Sequence, residues 1–210
     1  MKDKILYWDG KRTPELLKAS LNANHLSVTA TDTMLGFLAP LTKEAYEHLN
    51  AVKNSRSNKR YIILIGSLDK LSYFVEMKTL SQQAQKLINQ CWPGPLTIVF
   101  KAKQNIPPHL VEENGTIALR YPNHNELNSL LTDYHGLFST SANISGQMPA
   151  TTIAHIHPNI MASIDWVIVD HKKTMYPLIP STIVDASEQG PVKIIRQGAY
   201  PQAELERILG

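Results

Sequence analysis

The sequence predicts an α/β protein with a twisted, mixed parallel and antiparallel sheet flanked by helices. Eight apolar runs rich in β-branched residues are typical of strands, and several are nearly continuous, as expected of strands covered on both faces. Five stretches repeat apolar residues at three- and four-residue spacing, which is typical of amphipathic helices. Strands and helices alternate early in the chain, whereas later strands follow one another. This order favours a mixed sheet over a regular doubly wound one.

The predicted elements are distributed along the whole chain. The apolar runs predict strands at Leu26 to Ala30, Tyr61 to Ile65, Leu96 to Ala102, Thr116 to Tyr121, Leu137 to Thr140, Trp166 to Asp170, Thr182 to Asp185 and Val192 to Arg196. The helical spacing predicts helices at Pro14 to Asn22, Lys43 to Val52, Leu80 to Cys91, Glu126 to Tyr134 and Gln202 to Leu209. Ser81, Asn125 and Thr152 are predicted N-caps.

Length and composition predict one cytoplasmic domain. No repeat, low-complexity tract or Gly/Ser linker interrupts the 210 residues, so we expect a single domain over residues 1–210. Cys91 is the only cysteine, which excludes an internal disulfide and favours a reducing compartment. No stretch approaches the ~20 apolar residues that span a bilayer, so we expect no membrane contact. The net charge of +3 favours an anionic partner such as a nucleotide or RNA.

Two polar segments in the first third of the chain are candidate binding sites. The segment TATDTMLG at residues 29–36 follows an apolar strand and forms either a hydroxyl-rich binding turn or a helix cap. The segment KNSRSNKR at residues 53–60 has four cations in eight positions. It is either a solvated basic loop or a site whose arginines bind phosphates or an RNA backbone.

Two further segments with possible functional residues lie in the middle of the chain. The prolines of WPGPLT, residues 92–97, predict a rigid helix-to-strand corner with Trp92 in the core. Arg120 lies near the end of the strand in TIALRYP and, if buried, needs an anionic ligand or an internal salt bridge. Both segments therefore lie at the end of a predicted strand or helix.

The segment FSTSANISG at residues 138–146 has five hydroxyl or amide side chains within seven positions after an apolar strand. It predicts a nest for phosphate or carboxylate oxygens, with a structural turn cluster as the alternative. Arg196, in IIRQG, is the third arginine at a predicted strand end, after Arg56 and Arg120. Because ligands of α/β sheets bind at strand ends, these arginines predict one shared anionic cleft.

Several common signatures are absent. There is no GxxxxGK[ST] or GxGxxG segment, so neither a P-loop nor a dinucleotide fingerprint accounts for a nucleotide. His155 and His157, two positions apart without a third ligand, are only a weak metal signal.

Taken in order, ATDT with its following glycine, the Lys/Arg segment, PGPLT, LRYP, STSANISG, PSTIVD and IIRQG resemble the successive motifs of the YrdC family. The resemblance implies a single α/β domain whose twisted mixed sheet surrounds a large basic cavity. It also implies L-threonylcarbamoyladenylate synthase activity, which consumes L-threonine, bicarbonate and ATP and releases pyrophosphate. A downstream complex of this family's pathway then transfers the threonylcarbamoyl group to adenosine 37 of tRNA.

The resemblance also implies roles for individual residues. On the threonine side it implies Thr31, Thr33, Arg120, Ser141 and Ser181. On the nucleotide side it implies Arg56, Thr116, Asn143, Thr151 and Arg196, with Arg60 as a further cation. No protein nucleophile and no protein metal site are expected, and Mg²⁺ is expected as an ion bound with ATP.

One departure from the family pattern keeps other functions open. The family usually has K-x-R-P in the basic segment, whereas here Asn54 stands two before Arg56 and Lys53 is one position off. A non-catalytic RNA-binding or regulatory relative, which binds tRNA or double-stranded RNA, is therefore the first alternative. A carbamoyl-adenylate module of the hydrogenase-maturation type is the second, and the absence of acylphosphatase and zinc-finger segments disfavours it.

Overall fold

The computed structural model describes residues 2–55 and 60–210. These residues form two compact units. The first unit comprises the described residues before Arg60 together with Leu137–Leu178, and the second comprises Arg60–Gly136 together with Ile179–Gly210. Each unit combines segments that are distant in sequence. The expectation of one domain over residues 1–210 stays a prediction.

The first unit contains a mixed sheet with three helices. Its strands are β1 (Ile5–Tyr7), β2 (Leu26–Ala30), β3 (Leu35–Pro40), β7 (Leu137–Ser141) and β8 (Ile164–Val169), numbered along the whole chain. They lie in the order β1-β8-β2-β3-β7, and β8 is parallel to both β1 and β2, whereas β3 is antiparallel to β2 and β7. Its α-helices are α1 (Thr13–Asn22), α2 (Lys43–Lys53) and α6 (Pro158–Ser163). Every residue of β2 and β3 is buried, including Ser27 and Thr29 of β2, as expected of strands covered on both faces.

The second unit contains five strands with both parallel and antiparallel pairing. They are β4 (Ile62–Leu64), β5 (Leu96–Lys101), β6 (Thr116–Arg120), β9 (Thr182–Asp185) and β10 (Lys193–Arg196), in the order β4-β6-β5-β9-β10. Parallel pairs β4–β6 and β5–β9 alternate with antiparallel pairs β5–β6 and β9–β10. Its α-helices are α3 (Leu71–Phe74), α4 (Gln82–Cys91), α5 (Asn125–Leu131) and α7 (Gln202–Leu209), and α4 packs against α7. The predicted mixed α/β fold is confirmed.

Short 3₁₀-helices complete the described elements, at Lys2–Lys4, Leu68–Lys70, Met77–Thr79, Pro108–Leu110 and Ile153–His155. Of the predicted caps, Ser81 accepts a hydrogen bond from the N–H of Ala84. At α5 the cap is the Nδ1 atom of His124, so the prediction of Asn125 is wrong. Thr152 precedes a 3₁₀-helix and makes no side-chain cap bond.

The sequence did not predict β1, β3, α3 and α6. Strand β3 has the sequence LGFLAP, in which Gly36 and Pro40 indicate a turn rather than a strand. The structure shows why glycine is present, because a Cβ atom on Gly36 would lie 3.0 Å from the carbonyl oxygen of Thr140 on the neighbouring strand. Gly36 therefore permits close pairing of β3 with β7.

Among residues 2–55 and 60–210, no helix combines the length and the apolar character needed to cross a membrane.

Candidate functional site

The hydroxyl-rich segment at residues 29–36 forms the turn that joins β2 to β3. Its helix-cap interpretation is wrong, because the turn leads into a strand. The side-chain oxygens of Thr31 and Thr33 lie 2.9 Å apart, and Thr31 Oγ1 also accepts from the Thr33 N–H at 3.2 Å. Both threonines are buried. The structure thus places the two predicted threonine-binding hydroxyls together.

A polar loop at residues 141–147 follows β7. The Asn143 side-chain amide donates to the carbonyl oxygens of Ile144 and Gln147, at 3.0 and 2.6 Å. These two bonds fix the amide orientation, and Oδ1 is buried without a hydrogen-bond partner among the described residues. The loop is therefore a structured turn. A ligand that donates a hydrogen bond to Asn143 Oδ1 would satisfy this buried acceptor.

Lys53 binds this polar loop from the end of α2. It is the last residue of the helix and only 2% exposed. Its Nζ atom donates to the carbonyl oxygens of Ser141 and Asn143, at 2.6 and 2.7 Å, and lies 5.4 Å from the centre of the Phe37 ring. The solvated-loop interpretation is therefore wrong for this first cation of KNSRSNKR. Arg56, the arginine predicted to bind nucleotide in that segment, lies outside the described residues.

Thr151 is the remaining first-unit candidate. It is half-buried, and its carbonyl oxygen accepts a hydrogen bond from the Tyr176 N–H at 2.8 Å. This bond connects the segment after the polar loop to the segment after β8.

In the second unit, Arg120 lies at the end of β6 and is 4% exposed. Its Nε atom donates to the carbonyl oxygen of Gly94 at 3.1 Å, and the Gly94 N–H donates to the carbonyl oxygen of Tyr121 at 2.8 Å. The WPGPLT corner is thus a rigid turn, as predicted, and it also holds Arg120. Trp92 is buried, as predicted, and donates from Nε1 to the Leu96 carbonyl oxygen.

Arg196 binds the segment before β9. Its Nη2 and Nε atoms donate to the Ser181 carbonyl oxygen, at 2.8 and 3.3 Å. The Ser181 hydroxyl lies 2.8 Å from the Thr97 hydroxyl, and both of these side chains are buried. Partial burial and then the positive charge of Arg120 lower the pKa of the Arg196 guanidinium. Arg196 and Ser181 are therefore in direct contact, and Arg120 adds positive charge to the same unit. No carboxylate pairs with Arg196 within the described part of the chain.

Arg60 and Thr116 line a second-unit cavity of about 270 Å³, together with Asn114, Asp185 and Ile195. Arg60 donates from Nε to the Val111 carbonyl oxygen at 2.8 Å. The Thr116 hydroxyl and N–H both donate to Asn114 Oδ1, at 2.7 and 3.2 Å. The structure therefore brings these two predicted nucleotide-binding residues to one cavity.

The sequence did not predict the contacts of two further residues, Lys53 and Thr97. Lys53 lies one residue farther from Arg56 than the K-x-R spacing requires, and the prolines around Thr97 predict only a corner. The threonine of PGPLT was the available signal for Thr97, since a fully buried hydroxyl needs a polar partner. His157, by contrast, caps α6 through Nδ1. No group of three His, Cys, Asp or Glu residues suited to a metal ion occurs in the parts of the chain described by the structure.

A family model described as "Telomere recombination" and named for Sua5, YciO and YrdC matches residues 19–198. This match spans most of the chain and both of its units. The chain belongs to the Sua5/YciO/YrdC family. The resemblance inferred from the order of the motifs is thereby confirmed.

Two curated relatives and one solved structure illustrate the similarity. A putative threonylcarbamoyl-AMP synthase of Methanocaldococcus jannaschii is 31% identical over 198 residues, which cover 94% of this chain and 91% of the relative. The threonylcarbamoyl-AMP synthase of Pyrococcus abyssi is 30% identical over 182 residues, which cover 86% of this chain and 52% of the relative. The crystal structure of P. abyssi Sua5 complexed with L-threonine has a TM-score of 0.86 at 25% identity, over 99% of this chain and 60% of that one. The chain thus spans about half the length of the P. abyssi relative.

Proposed function

We propose that this protein is a threonylcarbamoyl-AMP synthase. It would convert L-threonine, bicarbonate and ATP into L-threonylcarbamoyladenylate and pyrophosphate, the first step of threonylcarbamoyl modification at tRNA adenosine 37. The observation that carries the proposal is a buried Arg120 at the end of β6 together with Arg196 hydrogen-bonded to Ser181, in a family whose members include named synthases. Two guanidinium groups in the same unit suit two anionic reactants that must be brought together.

Threonine recognition is assigned to hydroxyls and one arginine. In the second unit, the buried Arg120 guanidinium is proposed to pair with the threonine carboxylate, and the Ser181 hydroxyl is held in place by Thr97. In the first unit, Thr31, Thr33 and Ser141 are the proposed contacts, of which the first two form one hydroxyl pair. The similarity to P. abyssi Sua5, whose crystal structure is a complex with L-threonine, supports threonine as the ligand.

ATP recognition is assigned to cations and amides. Arg196, Arg60 and Thr116 are the proposed second-unit contacts, and the last two share one cavity. Asn143, Thr151 and Arg56 are the proposed first-unit contacts, with Arg56 outside the described residues. Cationic and N–H donors of this kind neutralise triphosphate charge.

The reaction requires positioning more than a protein nucleophile. The threonine amine and bicarbonate combine to a carbamate with loss of water, and a carbamate oxygen then attacks the α-phosphorus of ATP. The bond from that phosphorus to pyrophosphate breaks as the new bond forms. Arg196 stabilises charge that develops on phosphate oxygens, and Arg120 orients the threonine.

Mg²⁺ and the cellular setting complete the proposal. Mg²⁺ would accompany the triphosphate and be held by ATP and water, since the described residues offer no acidic cluster for it. The synthase would act in the cytoplasm and deliver its product to a complex that transfers the threonylcarbamoyl group to tRNA. The single buried Cys91 suits a reducing compartment.

A non-catalytic RNA-binding or regulatory role remains the second candidate. The contacts of Lys53 support this second role, because its ammonium donates hydrogen bonds to two carbonyl oxygens of the polar loop. A family member with one cation fewer for phosphate would bind ATP more weakly.

Pyrophosphate release distinguishes the two functions. Purified protein with ATP and Mg²⁺ should release pyrophosphate only when threonine and bicarbonate are both present. Arg196→Ala should reduce this release strongly, whereas Arg207→Ala, at an exposed arginine paired with Glu204 on α7, should leave it unchanged. Protein that binds double-stranded RNA but releases no pyrophosphate with all substrates present would favour the second function.

A further inference from the structure

Three hydrogen bonds connect Lys53 to the polar loop at residues 141–147. Two run from its Nζ atom to the carbonyl oxygens of Ser141 and Asn143. The third runs in the opposite direction, from the Ser145 N–H to the Lys53 carbonyl oxygen at 2.8 Å. The side chain and the main chain of one residue therefore bind both ends of a five-residue stretch of the loop.

The departure from the K-x-R spacing explains how Lys53 comes to lie there. Asn54 adopts the left-handed conformation, with φ 48° and ψ 44°, and ends α2 as its C-cap. Its N–H donates to the Ala51 carbonyl oxygen, and the Ser55 N–H donates to that of Asn50. Because the helix ends at Asn54, Lys53 is still part of the helix, which fixes its position.

We propose that Lys53 is a positioning residue, which shapes the polar loop for anion binding rather than contacting the ligand itself. Its 2% exposure limits access for a phosphate group, and its two N–H···O=C bonds hold the loop main chain. Removing the ammonium leaves two loop carbonyl oxygens without these donors. The loop carries Ser141 and Asn143, so the inference rests on the proposed function where it concerns threonine and ATP.

Hydrogen exchange of the ligand-free protein tests the positioning role independently of catalysis. Lys53→Met keeps the length and apolar stem of the side chain but removes its donors. We expect amide exchange in peptides covering residues 141–147 to accelerate by about tenfold or more. The matched control is Lys43→Met, at an exposed lysine in the first turn of the same helix, which should leave exchange in these peptides unchanged.

A second pair of variants keeps the test informative if Lys53→Met does not fold. Asn54→Val strains the left-handed helix end, because a β-branched residue disfavours positive φ, whereas Asn54→Gly accepts it. We expect faster exchange of the loop in Asn54→Val and unchanged exchange in Asn54→Gly. Unchanged loop exchange in both Lys53→Met and Asn54→Val would overturn the proposal.

ATP titration separates this inference from the proposed function. If Lys53 positions the loop, Lys53→Arg should recover ATP affinity to within about threefold of wild type, and Lys53→Met should leave the salt dependence of binding unchanged. A direct phosphate contact predicts unchanged ligand-free exchange and a weaker salt dependence in Lys53→Met, and that result would contradict the positioning role. Faster loop exchange in a protein that makes no pyrophosphate would instead uphold the positioning role and reject the synthase.

Discussion

The Arg196 guanidinium donates two hydrogen bonds to the Ser181 carbonyl oxygen, at 2.8 and 3.3 Å, and partial burial and then the positive charge of Arg120 lower its pKa. The positive charges of the two arginines disfavour each other, and a bound anion would reduce that repulsion. Each guanidinium is also fixed by a carbonyl oxygen, that of Gly94 for Arg120 and that of Ser181 for Arg196. Both guanidinium groups are thus held in position in the ligand-free protein.

The two arginines should have separable kinetic roles. Arg120→Ala should raise the KM for threonine by about tenfold or more, because it removes the partner of the substrate carboxylate. Arg196→Ala should lower kcat/KM for ATP by about 100-fold. Steady-state pyrophosphate assays with each substrate varied will measure both effects, with Arg207→Ala as the control. Identical effects of the two variants on both substrates would contradict the division of roles.

Thr97 should act through Ser181. Thr97→Val keeps the shape of a fully buried side chain and removes the hydroxyl that lies 2.8 Å from Ser181 Oγ. We expect about 1 kcal/mol lower free energy of unfolding and about a three- to tenfold higher KM for threonine. Thr97→Ser, which retains the hydroxyl, should recover the KM. A Thr97→Val enzyme with lower stability but wild-type KM would show that the hydroxyl has no part in substrate positioning.

Gly198 should be essential to the position of Arg196. A Cβ atom at residue 198 would lie 2.3 Å from the Pro180 carbonyl oxygen and 2.6 Å from that of Ser181, the oxygen that Arg196 binds. Gly198→Ala should therefore lower the free energy of unfolding by about 1–3 kcal/mol and reduce activity. Urea unfolding and pyrophosphate release check the two effects. Gly190→Ala is the matched control, because its Cβ would have no neighbour within 4 Å, and equal stability of the two variants would disprove the packing argument.

Tyr200 should make stability depend on alkaline pH. Burial, followed by its hydrogen bond with Cys91, raises the pKa of Tyr200 to about 12 from an ordinary 10.0. Between those values the unfolded chain loses the proton while the folded protein retains it, so the free energy of unfolding falls as pH rises. Tyr200→Phe should show a smaller fall from pH 10 to 12 in urea unfolding.

The control for that experiment is Tyr73→Phe, at an exposed tyrosine that stacks on His135. It should keep the wild-type dependence on pH. If Tyr200→Phe and wild type lose stability in parallel between pH 10 and 12, the hydroxyl of Tyr200 is not the group responsible.

Sequence reasoning reached the fold class and the order of the motifs, because both depend on local patterns. Strands such as β8 have a run of apolar residues, and the amphipathic helices keep their spacing. It missed β3, because Gly36 indicates a turn locally and is required only by the approach of Thr140 from β7. It assigned the cap of α5 to Asn125, since a histidine Nδ1 acceptor at residue 124 is not a usual cap.

The candidate site was predicted in its residue types but not in its contacts. The motifs predicted one cleft for Arg120 and Arg196, whereas the hydrogen bond from Arg196 to the Ser181 carbonyl oxygen is known only from the structure. Lys53 shows more clearly that contacts could not be predicted from the sequence. Its spacing from Arg56 indicated a displaced cation. In the structure, Lys53 is the last residue of α2 before the left-handed Asn54, and its Nζ atom contacts the polar loop. Such long-range contacts depend on the fold and cannot be read from local sequence.

Incorporation of labelled bicarbonate into a nucleotide-linked product tests the synthase proposal most directly. Purified protein incubated with ATP, Mg²⁺, L-threonine and ¹⁴C-bicarbonate should form a labelled adenylate, with one pyrophosphate released for each carbon incorporated. Omission of threonine should abolish both, and Arg196→Ala should reduce both together. Pyrophosphate release without label in the adenylate, or no release with all substrates present and the protein folded, would contradict the proposal.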